Sequence, residues 1–378
     1  MPSIQSVLRA EVITEVVSRI AATNTTLLTM FEMGPGGRAV RPVGHRFGSY
    51  DVFNNSRYTG PASAPGDAAT RINRQKAGNV PYTIARTHPS IWLPAEEIHN
   101  LRPIGGPSSQ FDEGGASYIA QQERYLGQTI GNHRTLLLQG MLRGALYAHQ
   151  NGNEIYWNHT SSGAVMTMDF RMPAGNKSQL NMLGTGNIID TSWDNPTANI
   201  PKHLTDINAA FQVLAGSQLN MVMVTSAVWQ NVINNDYVVT QAGVANTAFD
   251  EFERRIGTNP DGSPINQFRG RLRCLPWIEW VIMDEGVEIG PDGSATYTKH
   301  IGDSNAAFLP TPRPQLFQML EGSEPVSDRE GAPQVVRTGT YAWAVNSSNP
   351  TGTTLFALDN AIPAAYVPAA YAYGTVVF

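Results

Sequence analysis

Charge is scarce in this chain of 378 residues: Asp, Glu, Lys and Arg make up 15%, against about 25% in an ordinary soluble domain. A monomer bathed in water on all sides usually carries more. A surface largely covered by copies of the same chain needs less, because interface centres are depleted of charge. A basic excess is missing too. Lys and Arg number 26 against 31 Asp and Glu, a formal charge of −5, so the chain as a whole lacks the positive field that drives nucleic-acid binding by counterion release. The single cysteine, Cys274, excludes an internal disulfide and a zinc site built from several thiolates, and it suits a reducing compartment. Its expected role is that of a small buried apolar residue rather than a nucleophile. No uninterrupted apolar run approaches the ~20 residues of a membrane span, and the N-terminus lacks the basic, apolar and small-residue succession of a secretory leader. The glycosylation-like tripeptides at Asn24, Asn54, Asn158, Asn176 and Asn346 therefore read as chance matches.

Catalytic signatures are equally sparse. H-E-x-x-H, Walker and G-x-S-x-G patterns are missing. Gly34, Gly36 and Gly37 form a glycine loop, yet no apolar strand precedes it and no helix follows, so it lacks the setting of a phosphate cradle. The histidines at 45, 88, 99, 133, 149, 159, 203 and 300 show no close spacing of a local metal pair, and His133 reads as a hydrogen-bonded core or interface residue. Asp112 with Glu113, and Asp284 with Glu285, are sequence neighbours that do not face one another. Trp277, Trp280, Tyr366, Tyr371 and Tyr373 read as core and interface packing, not a ligand box. No cofactor or metal is expected.

What is present is enough apolar material, 41% of residues, for two or three compact units. Leu8, Ile13, Val16, Val17 and Ile20 lie on one helical stripe. Gly34, Pro35, Gly36 and Gly37 then break any helix, and the chain continues as an extended arm. Between residues 45 and 93 the pattern predicts two long strands around a polar tip. Phe47, Tyr50, Val52 and Phe53 lead out, and Val80, Tyr82 and Ile84 lead back. The tip from Thr59 to Asp67 is rich in Pro and Gly and forbids a regular element. An isolated two-stranded ribbon is marginal in water, so it should rest on something else, such as a neighbouring subunit. The longest element is a helix from Ser117, a plausible N-cap, to Tyr147, with Ile119, Leu126, Ile130, Leu137 and Met141 on its apolar stripe. At ~1.5 Å per residue it should be roughly 45 Å long. A hairpin follows, with Ile155 and Trp157 on one strand and Val165 to Phe170 on the other.

After Pro196 the rhythm changes. Leu204, Ile207, Phe211 and Leu214 mark a helix closed by Gly216. Met221 to Val224 reads as a buried strand, and Thr225 or Ser226 starts a helix carrying Trp229, Val232 and Ile233. Helix, buried strand and helix make an α/β unit. Leu275 to Met283 is a further buried strand, and a last strand is expected from Tyr371 to Phe378.

This order of parts resembles the major capsid protein E family of lambda-like tailed bacteriophages, which has the Hong Kong 97 capsid fold. The resemblance covers nearly the whole chain. It is carried by Pro89, Ser90, Ile91, Trp92, Leu93, Pro94, Ala95, Glu96, Glu97 and Ile98 leading to Leu101 and Arg102. It is carried also by the stretch from Trp193, Asp194 and Pro196 through the Leu204 helix and Gly216 to Val222–Trp229, and by the join of Ala145, Leu146 and Tyr147 to Asn153, Glu154 and Ile155. What the resemblance implies is an α+β fold with residues 1–44 as N-terminal arm and 45–93 as an extended loop crossing a neighbouring subunit. Residues 94–195 would form a peripheral domain with a spine helix over 117–147, 196–310 an axial domain, and 311–378 the strands returning to the peripheral domain. Pro61, Pro65, Arg71, Tyr82 and Arg86 are the residues it implies for inter-subunit contact.

The function implied is a structural one: hexamers and pentamers of this chain closing an icosahedral head around double-stranded DNA, which is held without sequence-specific binding. Assembly would take place in the host bacterial cytoplasm, with a portal and in some cases a decoration protein as partners. Some relatives begin with a long helical scaffolding segment, whereas Met1 leads here almost directly into the arm, so a separate scaffolding protein is expected. A second reading is an encapsulin-like nanocompartment, which encloses a cargo enzyme instead of DNA. A third, a hydrolase with a dispersed site, would need polar residues gathered in one cleft.

Gly127, Gly131, Gly140 and Gly144 fall inside the long helical pattern. Each costs ~1 kcal/mol relative to Ala, on the order of 4 kcal/mol together. Close approach of a neighbouring element would offset that cost. So would a spine able to bend between a precursor and an expanded shell, as maturation in the resembling family implies.

Overall fold

The longest apolar stripe folds as one helix, Phe111–Arg143, in a computed structural model that describes residues 8–23, 26–52, 78–100, 111–152, 154–241, 249–255, 267–272, 274–291, 293–326, 334–348 and 350–378. The helix starts and ends earlier than the expected 117–147, so Ser117 lies within it rather than capping it. Its terminator is Gly144, at φ 86°, a left-handed conformation that favours glycine. The Gly144 N–H donates to the Met141 carbonyl at 3.0 Å, and its own carbonyl accepts from Phe170 N at 3.1 Å. Gly144 is therefore the end of the helix and not one of its interior glycines. Residues 145–147 open a strand, Ala145–Asn151, whose alternating burial hides Leu146 and Ala148. It is the middle of three strands, flanked by Glu154–Asn158 and Met166–Asp169. The two strands expected to pair as a hairpin therefore do not pair with each other but flank Ala145–Asn151, whose first three residues read as helix in the sequence.

The first apolar stripe forms the helix Ala10–Thr23. Ile13, Val17 and Ala21 are fully buried with Ile119, Leu126 and Ile130 of the long helix and Leu93, Ala342, Leu355 and Ala357 of a sheet. Thr14 Oγ1 donates to the Ala342 carbonyl at 2.9 Å and accepts from Ala342 N at 3.0 Å. This part of the expected arm is packed on its own subunit. A short helix, Thr26–Phe31, buries Leu27, Leu28 and Phe31 in the main core.

Residues far apart in sequence build the sheet beneath the long helix. Its 15-residue strand Thr351–Ala365 pairs antiparallel with Tyr341–Ser348, Ser90–Pro94, Ala85–Thr87 and Phe317–Glu321. Val40–Pro42 joins the edge, parallel to Phe317–Glu321. Among the described residues of 45–93, Phe47–Val52 and Gly78–Thr83 pair as a ribbon, whereas Ala85–Thr87 and Ser90–Pro94 leave it and enter the sheet. The long helix is fastened there by Arg134, which is fully buried. Its Nε donates to Asp359 Oδ2 at 2.9 Å, and one terminal nitrogen donates to Asp359 Oδ1 at 2.6 Å, Glu321 Oε1 at 2.5 Å and Thr340 Oγ1 at 3.1 Å. Burial alone would push this guanidinium down, but Asp359 and Glu321 more than reverse it and hold the charge.

A second sheet of seven strands runs in the order Phe249–Arg255, Gln267–Leu272, Leu275–Ile282, Met221–Val224, Asn305–Leu309, Ala372–Thr375 and Lys177–Ser178. Met221–Val224 is buried throughout, as its continuous apolar run requires. The helix Ile200–Ala215 covers this sheet with Leu204, Ile207 and Phe211. It is capped by Asn199, whose side chain accepts from Lys202 N, and closed by Gly216 at φ 64°. Ser226–Ile233 adds Val228, Trp229 and Val232. The α/β unit is as expected, but its membership is not. Ala372–Thr375 and Lys177–Ser178 cross over from stretches assigned to the peripheral domain and complete this sheet's edge.

Candidate functional site

The ribbon and the ground on which it stands are the most distinctive surface. Tyr50 and Val80 point down from its two strands and are buried. The Tyr50 ring stacks on Tyr82 at 6.2 Å and meets Tyr366 edge-on at 5.7 Å, and burial pushes its hydroxyl up to about 12. Tyr82, expected at an inter-subunit contact, is half-buried at the ribbon's foot. Arg86, expected there too, is exposed; its Nε lies 3.0 Å from Glu324, which also accepts from Asn360 Nδ2 at 3.1 Å and faces Arg46 at 3.9 Å. Pro61, Pro65 and Arg71 lie outside the described residues.

Between the ribbon and the three-stranded sheet runs a groove of about 280 Å³. Tyr50, Val80, Tyr82, Trp157, Met166 and Met168 supply its apolar walls. Trp157, Met166 and Met168 share one face of that sheet, and Ile155 continues the same face out to 62% exposure. Sequence reading missed this surface because its central strand was taken for helix. The alternation Leu146, Ala148, Gln150 was the available signal.

Two of the helix glycines, Gly127 and Gly140, are sites of close approach. A Cβ at Gly127 would lie 2.8 Å from Ile20 Cβ and 3.1 Å from the Val17 carbonyl, and one at Gly140 would lie 2.8 Å from Leu146 Cβ. Gly131 is buried, and its carbonyl accepts from Thr135 Oγ1 at 2.8 Å. The first helix thus lies against the long one at Gly127, where a side chain would hold it off.

No group of three or more potential metal ligands occurs among the described residues. His203 is buried between Trp193, whose Nε1 donates to its Nδ1 at 3.2 Å, and Asp190, 2.9 Å from its Nε2. Since Nδ1 accepts, Nε2 carries the proton and donates to Asp190, and that hydrogen bond holds the Asp190 carboxyl below its usual range. The Thr191 side chain also hydrogen-bonds the Asp190 carboxylate, so the contacts tie a helix to a loop. Trp280 is buried beside Trp193 and Trp229, and Tyr371 beside Phe317. Trp277 is 45% exposed. Cys274 is half-buried at the edge of the second core, and burial pushes its thiol up, away from nucleophilic use.

No protein-family profile matches the chain, and no curated protein matches it in sequence. Its fold is shared. The crystal structure of a protein described as the capsid protein of a prophage (E. coli CFT073) superposes with a TM-score of 0.50 at 13% identity, over 80% of each chain. A phage-related protein from Bordetella bronchiseptica RB50 gives 0.46 at 13% identity, over 97% of this chain and 96% of that one. A virus-like particle from Pyrococcus furiosus gives 0.43 at 8% identity, over 96% and 97%. The α+β fold read from the sequence, that of the Hong Kong 97 capsid proteins, is the fold of this chain.

Proposed function

We propose that the chain is a major capsid protein, a structural subunit that associates with copies of itself into an icosahedral shell around phage DNA. The observation that carries this reading is the fold shared with the prophage protein. The low charge and the ribbon, whose strands pair into neither large sheet, support it. In this reading residues 45–93 include the loop that reaches a neighbouring subunit, the residues beyond Val52 and before Gly78 making the contact. Tyr82 and Arg86 act as its intramolecular foot. The two sheets correspond to the peripheral and axial domains. A separate scaffolding protein, a portal and a decoration protein are the proposed partners, the packaged DNA is held without sequence-specific contacts, and assembly takes place in the bacterial cytoplasm.

The test is electron microscopy and light scattering of the purified chain, alone and co-expressed with the scaffolding candidate from its own gene neighbourhood. Hexamers, pentamers or closed shells are expected. A stable monomer at micromolar concentration in every condition would refute the reading. Particles from the native source that enclose a protein cargo and no DNA would replace it with the nanocompartment.

A further inference from the structure

Where the long helix ends, three basic groups meet without an acid. Arg143, the last helical residue, donates through one terminal nitrogen to the carbonyls of Lys299 at 3.0 Å and His300 at 3.2 Å. Its guanidinium lies 5.4 Å from the centre of the Tyr373 ring. Its Nε is buried without a partner, and so are both ring nitrogens of His159 and both of His300. His300 as a residue is 1% exposed. A native structure rarely leaves so many polar atoms of one cluster unsatisfied, and such sites call for a functional account.

Among the described residues no charged side chain is hydrogen-bonded to either imidazole. From the long helix, Gln139 gives its amide N–H to the Lys299 carbonyl at 2.8 Å. From the three-stranded sheet, His149 is engaged with the Thr160 carbonyl at 2.8 Å and stacked on Tyr156. At the end of the strand Thr296–Lys299, Lys299 turns away to Asp284 at 3.0 Å and Asp303 at 2.8 Å. Glu285 accepts His300 N with its backbone carbonyl; its Oε1 accepts from Thr26, while its Oε2 is buried without a partner and bonds neither ring. From the second sheet, the Tyr373 hydroxyl accepts from Gly302 N at 3.1 Å. No carboxylate among the described residues is within hydrogen-bonding reach of either unpartnered ring.

We infer that Arg143, His159 and His300 form an acid-operated joint between the three-stranded sheet and the loop Lys299–Asp303, closed while both histidines are neutral and forced open when they gain protons beside the fixed charge of Arg143. The direction follows from linkage. Burial first, and then Arg143 and His300, hold His159 down at about 3, and burial with Arg143 holds His300 at about 4, against an ordinary 6.5. The opened joint therefore binds more protons than the closed one as pH falls below about 6.5, and closure weakens from there toward pH 4. Above pH 6.5 the joint is fully closed. The parts it would free are the loop carrying His159 and the strand Met166–Asp169, which borders the apolar groove beneath the ribbon.

Hydrogen–deuterium exchange of the unassembled full-length chain, corrected for intrinsic rates, tests the joint at pH 7.5 and 4.5. Peptides covering 154–169 and 298–304 should open about tenfold or more at pH 4.5, while Met221–Val224 stays protected. In the double variant His159→Gln with His300→Gln that local rise should vanish. An unchanged acid response in the variant, or acid opening spread evenly over the whole chain, overturns the inference. A second measurement needs no variant: exchange of the imidazole C2 proton, read residue by residue, should place both midpoints below 5. Midpoints near 6.5 would overturn the joint equally.

Discussion

Glu123 carries a single carboxyl into an apolar contact, and that should make the stability of the chain fall as pH rises from about 4.5 to about 7. It lies on the long helix one turn from Ile119 and one from Gly127, on the stripe that packs with the first helix and the sheet strand Ser90–Pro94, and it is 1% exposed. Its Oε1 has no hydrogen-bond partner, and burial alone pushes its carboxyl up to about 7 from an ordinary 4.5. The folded chain therefore keeps a proton between about pH 4.5 and 7 that the unfolded chain has released, and stability declines with pH across that window and levels off above it. The displacement corresponds to about 3 kcal/mol at pH 8. Glu123→Gln removes the titration and keeps the shape. Urea unfolding of the unassembled chain, followed by circular dichroism from pH 5 to 8.5, should give a variant near the parent at pH 5 and more stable by about 3 kcal/mol at pH 8, with unchanged urea sensitivity. Parent and variant curves that run parallel across the range would refute the reasoning.

Arg134→Met should destabilise the fold by about 3–5 kcal/mol in the same assay, because Asp359 would be left buried and unpaired and Glu321 would lose its guanidinium; a loss below about 1 kcal/mol would show that water reaches the pair. Gly127→Ala improves helix propensity by about 1 kcal/mol but drives a Cβ into Ile20 and the Val17 carbonyl, so a net loss of about 1–2 kcal/mol is expected and a gain would contradict the close contact. In shells, Gly131→Ala with Gly140→Ala separates packing from bending: failure to assemble indicates packing, slow expansion a hinge, and expansion at the normal rate removes the hinge. Replacing residues 59–70 by a two-residue turn should leave the circular dichroism spectrum largely intact while weakening shell formation, and global unfolding would place the tip inside the subunit's own core.

Elements whose periodicity is set by their own residues were legible in the sequence. Met221–Val224, the helix ended by Gly216 and the first apolar stripe could each be read within a short window, because burial on one face leaves a local pattern. The end of the long helix was not legible in the same way. Ala145, Leu146 and Tyr147 suit either helix or strand, and only the φ of Gly144, fixed by contacts to Met141 and Phe170, decides between them. Strand partnership was the other blind spot. Ala372–Thr375 reads as a strand in isolation, but nothing within it says which sheet it will complete. Likewise the resemblance marks Tyr82 and Arg86 as contact formers, while their neighbours Tyr50 and Glu324 come from other segments and are not signalled by local pattern. The joint of Arg143, His159 and His300 is scattered along the chain and has no spacing to detect.

The strand Thr351–Ala365 has a consequence for when a subunit becomes usable. It is the shared partner of Ala85–Thr87, Ser90–Pro94, Phe317–Glu321 and Tyr341–Ser348, and it sets Thr87 against Asp359 and Trp92 against Thr354. During synthesis the early strands emerge long before the segment that joins them, so their edges wait unpaired while most of the chain is made. Pairings of such long sequence separation close late and slowly. Asp359, which receives Arg134 and so locks the long helix to the sheet, arrives on the same strand. A partly synthesised chain therefore has no finished platform under its ribbon. If the chain assembles as proposed, the timing of translation itself guards against incorporating incomplete subunits.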